Sequence, residues 1–333
     1  MAKPTIANVA ELAGVSQATV SRALRGATNV TEETRIKVQR AADQLNFTLS
    51  KSASALASGK TMRVILLVSG KLNEWFNSGV LQGVYEELAP VGYDVTPAFI
   101  TDRSELDWFF SQLPKSRNAD AIIISSFQLM PAMRDQLQAI DLPTVGVNVP
   151  AESGYFDASI SIDNSSAMTM AVRLLRSLGH TNIAFCSDYI PADMVYNTSQ
   201  RTQAFADAAQ ANATDGITFS LLTADAHDAP LSKADLASQL TAKLLSLPER
   251  PTAVCVETDQ VAIALVKELR KQQLNVPEDI SVVGYDNYLY PGLCDVPLTT
   301  YEVDIKEMAR RAIHIMLKKL NGENYRQGIS IVE

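Results

Sequence analysis

The sequence predicts an α/β protein: a head of three short helices, followed by a body of two doubly wound lobes, each built on a parallel sheet. From Met62 onward, continuous Val- and Ile-rich runs alternate with helical stretches, a pattern typical of parallel strands buried on both faces. Before Met62, apolar residues recur at helical spacing in three short stretches. A length of 333 residues agrees with two or three domains.

The bulk composition is that of a globular protein, with 47% hydrophobic and 20% charged residues. No apolar run reaches the roughly 18 residues needed to span a bilayer, so we expect no membrane segment. The N-terminal residues lack a long apolar stretch after their basic residue, which predicts no secretory signal. The three scattered cysteines fit a reducing compartment, so we expect a cytoplasmic protein.

The charge is distributed unevenly along the chain. Residues 1–60 contain eight Lys or Arg against four Asp or Glu, a net charge of +4, so the other 273 residues carry −12 of the total of −8. Lys and Arg contacts to phosphate supply most non-specific affinity for nucleic acid, and such contacts require a basic surface. A basic head on an acidic body therefore favours nucleic-acid binding by the head, with chance asymmetry as the alternative.

The three stretches of the head have the start and stop signals of helices. Thr5 is a candidate N-cap for the first helix and Gly14 ends it, Ser16 is an N-cap for the second, and the third begins near Thr31. The residues expected to face the interior are Ile6, Val9, Ala10 and Ala13 in the first helix, Val20, Ala23 and Leu24 in the second, and Val38, Ala41, Ala42 and Leu45 in the third.

Two helices joined by a short turn that contains glycine form a helix-turn-helix unit, whose second helix enters the major groove of DNA. The outward face of this second helix carries Gln17, Ala18, Ser21 and Arg22. Gln17 can pair with adenine, Arg22 with guanine, Ala18 with a thymine methyl group, and Ser21 with a base or a phosphate. The alternative interpretation is a small helical bundle with an ordinary solvated face.

The segments TIANVAELAGVSQATVSRALRG and VTEETRIKVQRAADQLNF resemble the head of lactose-repressor (LacI/GalR) family regulators. The resemblance implies contacts to operator DNA from the second helix, by Ser16, Gln17, Ala18, Ser21 and Arg22. It also places Thr5, Asn29, Thr31 and Thr34 where members of the family meet phosphate.

Residues 47–61 follow the head and contain the Ser- and Ala-rich stretch SASALAS. The resemblance implies a hinge that becomes helical on DNA, with Leu56 as a wedge in the minor groove and Ala53 one turn earlier. Leu49 and Ser50 stand where the family usually has proline and asparagine, which is a departure from the hinge pattern of the family. A plain flexible linker is the alternative.

The body resembles a periplasmic sugar-binding protein. Strands are predicted at residues 63–68, 121–125, 143–147, 158–162, 182–186, 252–256 and 280–284, with a weaker one at 216–222. The resemblance implies that the helix at 304–320 returns to the first lobe, with three crossings between lobes. We therefore expect a helix-turn-helix domain at 1–46, a hinge at 47–61, a first lobe at 62–161 plus 303–320, and a second lobe at 162–302 plus 321–333.

Ligands of open α/β sheets bind beyond the carboxyl ends of the strands. The residues found there are Trp75, Phe76, Ser126, Phe127, Asn148, Glu257, Thr258, Asp259, Tyr285, Asp286 and Asn287. Aromatic faces combined with paired polar groups suit a sugar. For any single residue, the alternative is a polar group that only ends a strand or caps a helix.

The resemblance sharpens this set. Arg201, in TSQRTQAFADA, is implied to bind effector hydroxyl groups, and Asp286, in VVGYDN, matches an effector-binding carboxylate. Thr258 replaces a usual asparagine, while Asp259 after it is retained. Asn148 stands where many members have aspartate. In NEWF, Glu74 replaces a proline and one residue of register is open, so Trp75 and Phe76 are both candidates for the stacking aromatic.

An enzyme of the same fold class is the main rival interpretation. The sequence contains neither a dinucleotide-binding G-x-G-x-x-G nor a G-x-S-x-G elbow, and its three histidines lack metal-ligand spacing, so we expect no catalysis, cofactor or metal. A sugar-binding protein without a DNA role is the second rival. The sequence favours a cytoplasmic, nucleoid-associated repressor, dimeric on a near-palindromic operator and controlled by a small carbohydrate. The sequence leaves open whether the ligand is an inducer, which weakens operator binding, or a corepressor of the purine type, which strengthens it.

Overall fold

The computed structural model describes residues 4–24, 27, 29–47, 60–116, 118–140, 142–149, 156–189, 196–213, 216–226, 231–287, 297–324 and 328–332. The chain divides into two compact units, Met1–Met62 and Arg63–Glu333. Most of the predicted hinge, including Ala53 and Leu56, lies outside the described residues.

The head consists of the three predicted helices, α1 (Ile6–Ala13), α2 (Gln17–Leu24) and α3 (Glu32–Gln44). Their interior is formed by Val9, Ala10, Ala13, Val20, Ala23, Val38, Ala41 and Ala42, as predicted, with Ile6, Leu24 and Leu45 partly buried against them. Small residues dominate this core, which lets three short helices cross closely.

Local hydrogen bonds fix the helix ends where the sequence predicts them. Thr5 and Asn8 form a reciprocal capping box at the start of α1, which ends at Gly14 with φ of 65°. The Ser16 hydroxyl accepts a hydrogen bond from the Thr19 backbone N–H at 3.1 Å. Thr31 caps α3, whose first turn carries two glutamates.

The first lobe contains a six-stranded sheet with the order β10-β5-β4-β3-β1-β2, in which all pairs are parallel. Its strands are β1 (Arg63–Ser69), β2 (Asp94–Ile100), β3 (Ala121–Ser125), β4 (Thr144–Val147), β5 (Ala158–Ile162) and β10 (Gly328–Val332), and its helices are α4 (Trp75–Leu88), α5 (Arg103–Ser116), α6 (Pro131–Ile140) and α11 (Ile305–Leu320). One core, which includes Phe110, Leu137 and Ile122, lies between the sheet and α5 and α6.

The second lobe contains a four-stranded parallel sheet with the order β7-β6-β8-β9. Its elements are α7 (Asn164–Ser177), β6 (Asn182–Ser187), α8 (Ser199–Ala211), β7 (Thr218–Thr223), α9 (Lys233–Leu245), β8 (Ala253–Val256), α10 (Asp259–Lys271) and β9 (Ser281–Val283). Helix α7 packs against α8 and α9 against α10. None of the helices in the described part of the chain is long and apolar enough to cross a bilayer.

Helix α11 returns to the first lobe, as predicted, and packs along α4. The two helices approach closely at Gly83, where an added Cβ would lie 2.6 Å from the Cβ of Ala309. At its other end, α11 places Lys319 in an ion pair with Asp157, just before β5.

The structure corrects two expectations about the end of the chain. Residues 321–333 were assigned to the second lobe, but β10 pairs with β5 in the first sheet. The described elements therefore change lobe twice, after β5 and before α11, and not three times. The physical reason is that β5 would otherwise present an unpaired edge beside α11, and the strand that follows α11 covers this edge.

Strand β2 was missed for a different reason. It is an edge strand that contains Pro97 and has only one fully buried residue, Ile100, so it lacks the continuous apolar run used to recognise strands.

We predict that Gly83→Val destabilises the body by roughly 1–3 kcal/mol, because the new side chain collides with Ala309 where α4 and α11 meet. Urea unfolding can be followed by tryptophan fluorescence, since both tryptophans, Trp75 and Trp108, lie in the body. Valine has a higher helix propensity than glycine, so helix propensity does not account for a loss at Gly83. Gln82→Val, at an exposed position on the same helix, controls for the introduction of a β-branched side chain. Equal losses in the two variants would contradict the close approach.

Candidate functional site

The outward face of α2 is available for contact with a partner. Gln17, Ala18 and Arg22 are exposed and Ser21 is half-buried, whereas Val20 on the opposite side is fully buried. The Arg22 Nε donates a hydrogen bond to the Ala18 carbonyl at 3.2 Å, so the guanidinium lies along its own helix. The head therefore presents the amide and guanidinium groups that read bases in a major groove.

The candidate phosphate contacts lie at helix starts. The hydroxyls of Thr5, Ser16 and Thr31 cap α1, α2 and α3, and Thr34 bonds the Thr31 hydroxyl at 2.8 Å. Asn29 is exposed in the turn before α3. Helix N-termini favour anions, so the positions of these caps suit a phosphate backbone.

Arg35 is a residue of the head that sequence reasoning missed. Its guanidinium donates hydrogen bonds to the carbonyls of Ala23 at 3.4 Å and Ala27 at 3.0 Å, and it pairs with Glu32. These bonds provide donors for carbonyl groups at the C-terminal end of α2 and just after it, and they hold α2 against α3.

The body encloses a cavity of about 330 Å³ at the carboxyl ends of both sheets. The first lobe contributes Ser69, Gly70, Glu74, Trp75, Phe76, Asn77, Ser126 and Asn148, and the second lobe contributes Asp188, Tyr189, Tyr196, Asn197, Thr198, Arg201, Lys233, Glu257, Thr258, Gln260 and Asp286. The volume is within the range typical of small-molecule sites, roughly 300–1,000 Å³.

Seven of the ten predicted effector residues line this cavity: Trp75, Phe76, Ser126, Asn148, Arg201, Thr258 and Asp286. The alternatives Trp75 and Phe76 both do so, with their rings packed edge to face at 6.2 Å. Thr258 also caps α10.

The other three predicted residues lie behind the residues that line the cavity, and their contact with a ligand stays a prediction. Phe127 belongs to the core of the first lobe. Asp259 is buried and accepts a hydrogen bond from the Thr300 hydroxyl at 2.7 Å. Tyr285 lies under Arg201 with its hydroxyl directed to Asn164. At these three places the neighbouring residue, Ser126, Thr258 or Asp286, lines the cavity instead.

Arg201 is held by its own protein on every side. Its side chain is 2% exposed, its Nη1 lies 3.2 Å from Asp286 Oδ1, and its guanidinium carbon lies 3.6 Å from the centre of the Tyr285 ring. It also donates hydrogen bonds to the Glu257 carbonyl and to Asn164 Oδ1. The guanidinium is thus fixed in position, and it neutralises Asp286 in the absence of any ligand.

Two buried carboxylates share this part of the cavity. Burial raises the pKa of Glu257 to about 7, against the lowering effects of the Asp188 backbone N–H, Lys233 and Arg201. Burial also raises the pKa of Asp286 to about 7, with Arg201 lowering it and Asp259 and Glu257 raising it. Near neutral pH both groups can therefore accept or donate a hydrogen bond to a ligand hydroxyl.

A chain of buried amides links the two lobes across the cavity. Asn197 donates a side-chain hydrogen bond to Asn148 of the first lobe, and its backbone N–H bonds the Ser126 carbonyl at 3.1 Å. Asn164 donates to Asn197 at 3.4 Å and accepts from Arg201. The contact between lobes is therefore continuous with the arginine in the cavity.

Asn164 and Asn197 were missed by the sequence reasoning. Asn164 follows β5 by two residues, and Asp188 and Tyr189 follow β6 directly. Asn164, Asp188 and Tyr189 therefore carry the same signal in the sequence as the predicted residues, a position just after a buried strand. Asn197 follows no strand, and only the folded structure brings it to Asn148.

Three lining residues hold backbone conformations that side chains rarely adopt. Ser126, Asn148 and Asp286 have φ values of 72°, 54° and 114°. Asn and Asp tolerate the left-handed region better than most residues, because their short side chains can bond nearby backbone. Such conformations cluster at functional sites, where the surrounding structure maintains them.

Comparison with known proteins matches both units of the chain. Residues 5–50 match the family model of bacterial regulatory proteins, lacI family, and residues 172–330 match that of a periplasmic binding protein-like domain. The HTH-type transcriptional repressor PurR of Vibrio cholerae serotype O1 is 30% identical over 328 residues, which cover 98% of this chain and 94% of the relative.

Solved structures support the same architecture. The lac repressor dimer bound to operator and the anti-inducer ONPF is similar with a TM-score of 0.83 and 23% identity, over 99% of this chain and 96% of that one. The complex of the transcriptional regulator CelR with cellobiose has a TM-score of 0.68 and 25% identity, over 99% of this chain and 97% of that one.

We predict that the body becomes less stable as the pH rises from about 5 to about 8, by on the order of 2 kcal/mol. The folded pKa values of Glu257 and Asp286 exceed the unfolded ones, so the folded state binds more protons and is favoured at low pH. Urea unfolding monitored by tryptophan fluorescence measures this dependence. Glu257→Gln should reduce the dependence of stability on pH, whereas Glu249→Gln, on the surface, should leave this dependence unchanged. A rise in stability between pH 5 and 8 would refute the raised pKa values of Glu257 and Asp286.

Proposed function

The chain belongs to the lacI family of bacterial regulatory proteins and is a DNA-binding transcriptional repressor with an effector-binding body; we propose that it is a homodimer whose affinity for a near-palindromic operator is controlled by a small carbohydrate. The observation that carries the proposal is the cavity between the lobes, with aromatic rings on one side and buried polar groups on the other. Because it acts on chromosomal DNA, we place it in the cytoplasm with the nucleoid.

Base reading is assigned to α2. Ser16, the exposed Gln17, Ala18 and Arg22 and the half-buried Ser21 would contact DNA in the major groove, and Thr5, Asn29, Thr31 and Thr34 would meet the phosphates. Two copies would place their second helices in successive major grooves. Leu56 of the hinge would form the wedge in the minor groove between them, with Ala53 one turn earlier.

The lining of the cavity supports a sugar. Trp75 and Phe76 offer ring faces and edges to the C–H groups of a pyranose. Hydroxyl groups can bond the amides of Asn148 and Asn197 and the carboxylate of Asp286. The similar CelR structure contains cellobiose, which supports a carbohydrate in this kind of cavity.

Control of DNA binding requires a ligand that favours one arrangement of the lobes over another. The bonds from Asn197 to Asn148 and to the Ser126 carbonyl join the lobes at the cavity itself. A ligand that replaces or reinforces these bonds would shift the lobes, and through them the distance between the two hinges of a dimer. Such a coupling acts in both directions, so operator DNA changes ligand affinity by the same factor.

The deciding experiment is calorimetric screening of mono- and disaccharides, followed by footprinting of bound DNA with and without the ligand found. Release of the operator identifies an inducer, and tighter binding identifies a corepressor. Binding of purine bases but no sugar would overturn the carbohydrate assignment. Removal of residues 1–60 should abolish DNA binding and leave ligand binding intact.

We predict that Arg22→Ala weakens specific operator binding by about 1–3 kcal/mol and relaxes the preference at one base pair. Fluorescence anisotropy on the operator and on single-base variants measures both effects. Arg40→Ala removes an exposed arginine from α3 and should weaken binding equally on all sequences, if at all. Unchanged discrimination in Arg22→Ala would contradict the assignment.

We predict that Trp75→Ala lowers affinity for the sugar by roughly tenfold, in line with about 1.4 kcal/mol for a lost stacking contact. The control is Trp108→Ala, since Trp108 is 65% exposed on α5 and does not line the cavity. Calorimetric titration measures the affinity of both variants for the sugar. Equal affinities of Trp75→Ala and Trp108→Ala would exclude Trp75 as a stacking residue.

A further inference from the structure

We propose that the effector is a sugar that carries no phosphate or carboxylate group, because acidic side chains outnumber basic ones in the described lining and the buried arginine there is already paired. The inference deepens the proposed function and rests on it. It separates two classes of carbohydrate, free sugars and their phosphate esters.

Acidic side chains outnumber basic ones around the cavity. The described lining contains Glu74, Asp188, Glu257 and Asp286, against Arg201 and Lys233. The two buried acids lie deep in the cavity, where charges interact strongly. An anionic ligand would be brought next to like charges with little water to screen them.

Arg201 does not provide a phosphate site. Its guanidinium already pairs with Asp286, bonds the Glu257 carbonyl and Asn164, and covers the Tyr285 ring. A phosphate could use this arginine only by displacing Asp286, which would leave a buried carboxylate without its cation.

Lys233 is the other cation of the described lining, and its side chain is exposed. Its charge lowers the pKa of Glu257, so it acts on one of the buried acids. Water screens an exposed charge, so Lys233 would stabilise a bound phosphate less than a buried cation would.

Helix N-termini are the other common anion sites in α/β proteins. Two of those at the cavity already carry an acid: Glu74 precedes α4, and Asp259 is the first residue of α10. The positive end of each helix dipole is therefore partly neutralised before any ligand binds.

The inference gives the protein a place in a reaction sequence. It would sense a sugar before the phosphoryl transfer or glycoside hydrolysis that consumes it. A regulator that sensed the product of sugar phosphorylation would need a phosphate site instead.

The test is calorimetry on the full-length protein with matched pairs: glucose, galactose, fructose, sucrose, trehalose, maltose and cellobiose, each with its 6-phosphate. We expect a sugar that binds to lose affinity by at least about 100-fold when phosphorylated, because like charges brought together strongly disfavour a complex. A phosphate ester that binds as tightly as its sugar, or binds alone, overturns the inference and leaves the proposed carbohydrate sensing intact. Binding of neither class of compound removes the proposed function and the inference together.

Two variants test the cause. At pH 8, where most of Glu257 is ionised, Asp188→Asn and Glu257→Gln should each narrow the gap in affinity between the sugar and its phosphate by about tenfold, since each removes negative charge from the lining. Glu249→Gln removes an exposed acid from the loop before β8, at the opposite end of the sheet, and should leave the gap unchanged. If Glu257→Gln fails to fold, Asp188→Asn alone decides; an unchanged gap in a folded variant means that the acids do not set the selectivity.

Discussion

The effector-binding body is organised around one buried cation. Arg201 cannot be removed from water without compensation, and the compensation comes from four directions: Asp286 after β9, the Glu257 carbonyl after β8, Asn164 at the start of α7 and the ring of Tyr285. The four partners come from three places in the second lobe, since Tyr285 and Asp286 both follow β9. The arginine therefore fixes the ends of two strands and two helices relative to one another, and the geometry of the cavity depends on it.

The same network determines how the two lobes meet. Asn164 accepts from Arg201 and donates to Asn197, which bonds Asn148 in the first lobe. All three asparagines are buried, so each amide that lost its partner would remain unsatisfied. Under the proposed function, a ligand that bonds to these amides would act on the position of the lobes.

Much of the fold could be predicted because its determinants are local. The head follows from capping residues and apolar stripes within eight to thirteen residues of chain, and the buried strands follow from continuous apolar runs. Pairings between distant segments could not be predicted in this way. Strand β10 pairs with β5 although more than 160 residues separate the two strands in the sequence. Strand β2 lies at the edge of its sheet and is mostly not fully buried, so it contains no continuous apolar run.

The same distinction between local signals and contacts of distant segments applies to the candidate site. Strand ends could be found from the sequence, but the choice within each pair, such as Asp286 over Tyr285 or Thr258 over Asp259, depends on which way the backbone turns. Asn197 reaches the cavity only through the folded contact with Asn148.

The unusual backbone at Ser126, Asn148 and Asp286 has a consequence for how such a scaffold can diverge. Bulky or β-branched replacements are disfavoured at these three sites whatever ligand is bound, so they form a fixed frame. New ligand preferences must arise instead at ordinary helical positions around the opening, such as Trp75, Lys233 and Gln260. The architecture thus separates cavity positions that accept few side chains from positions at the opening that accept many. Variants with a changed ligand preference are best sought at the second group.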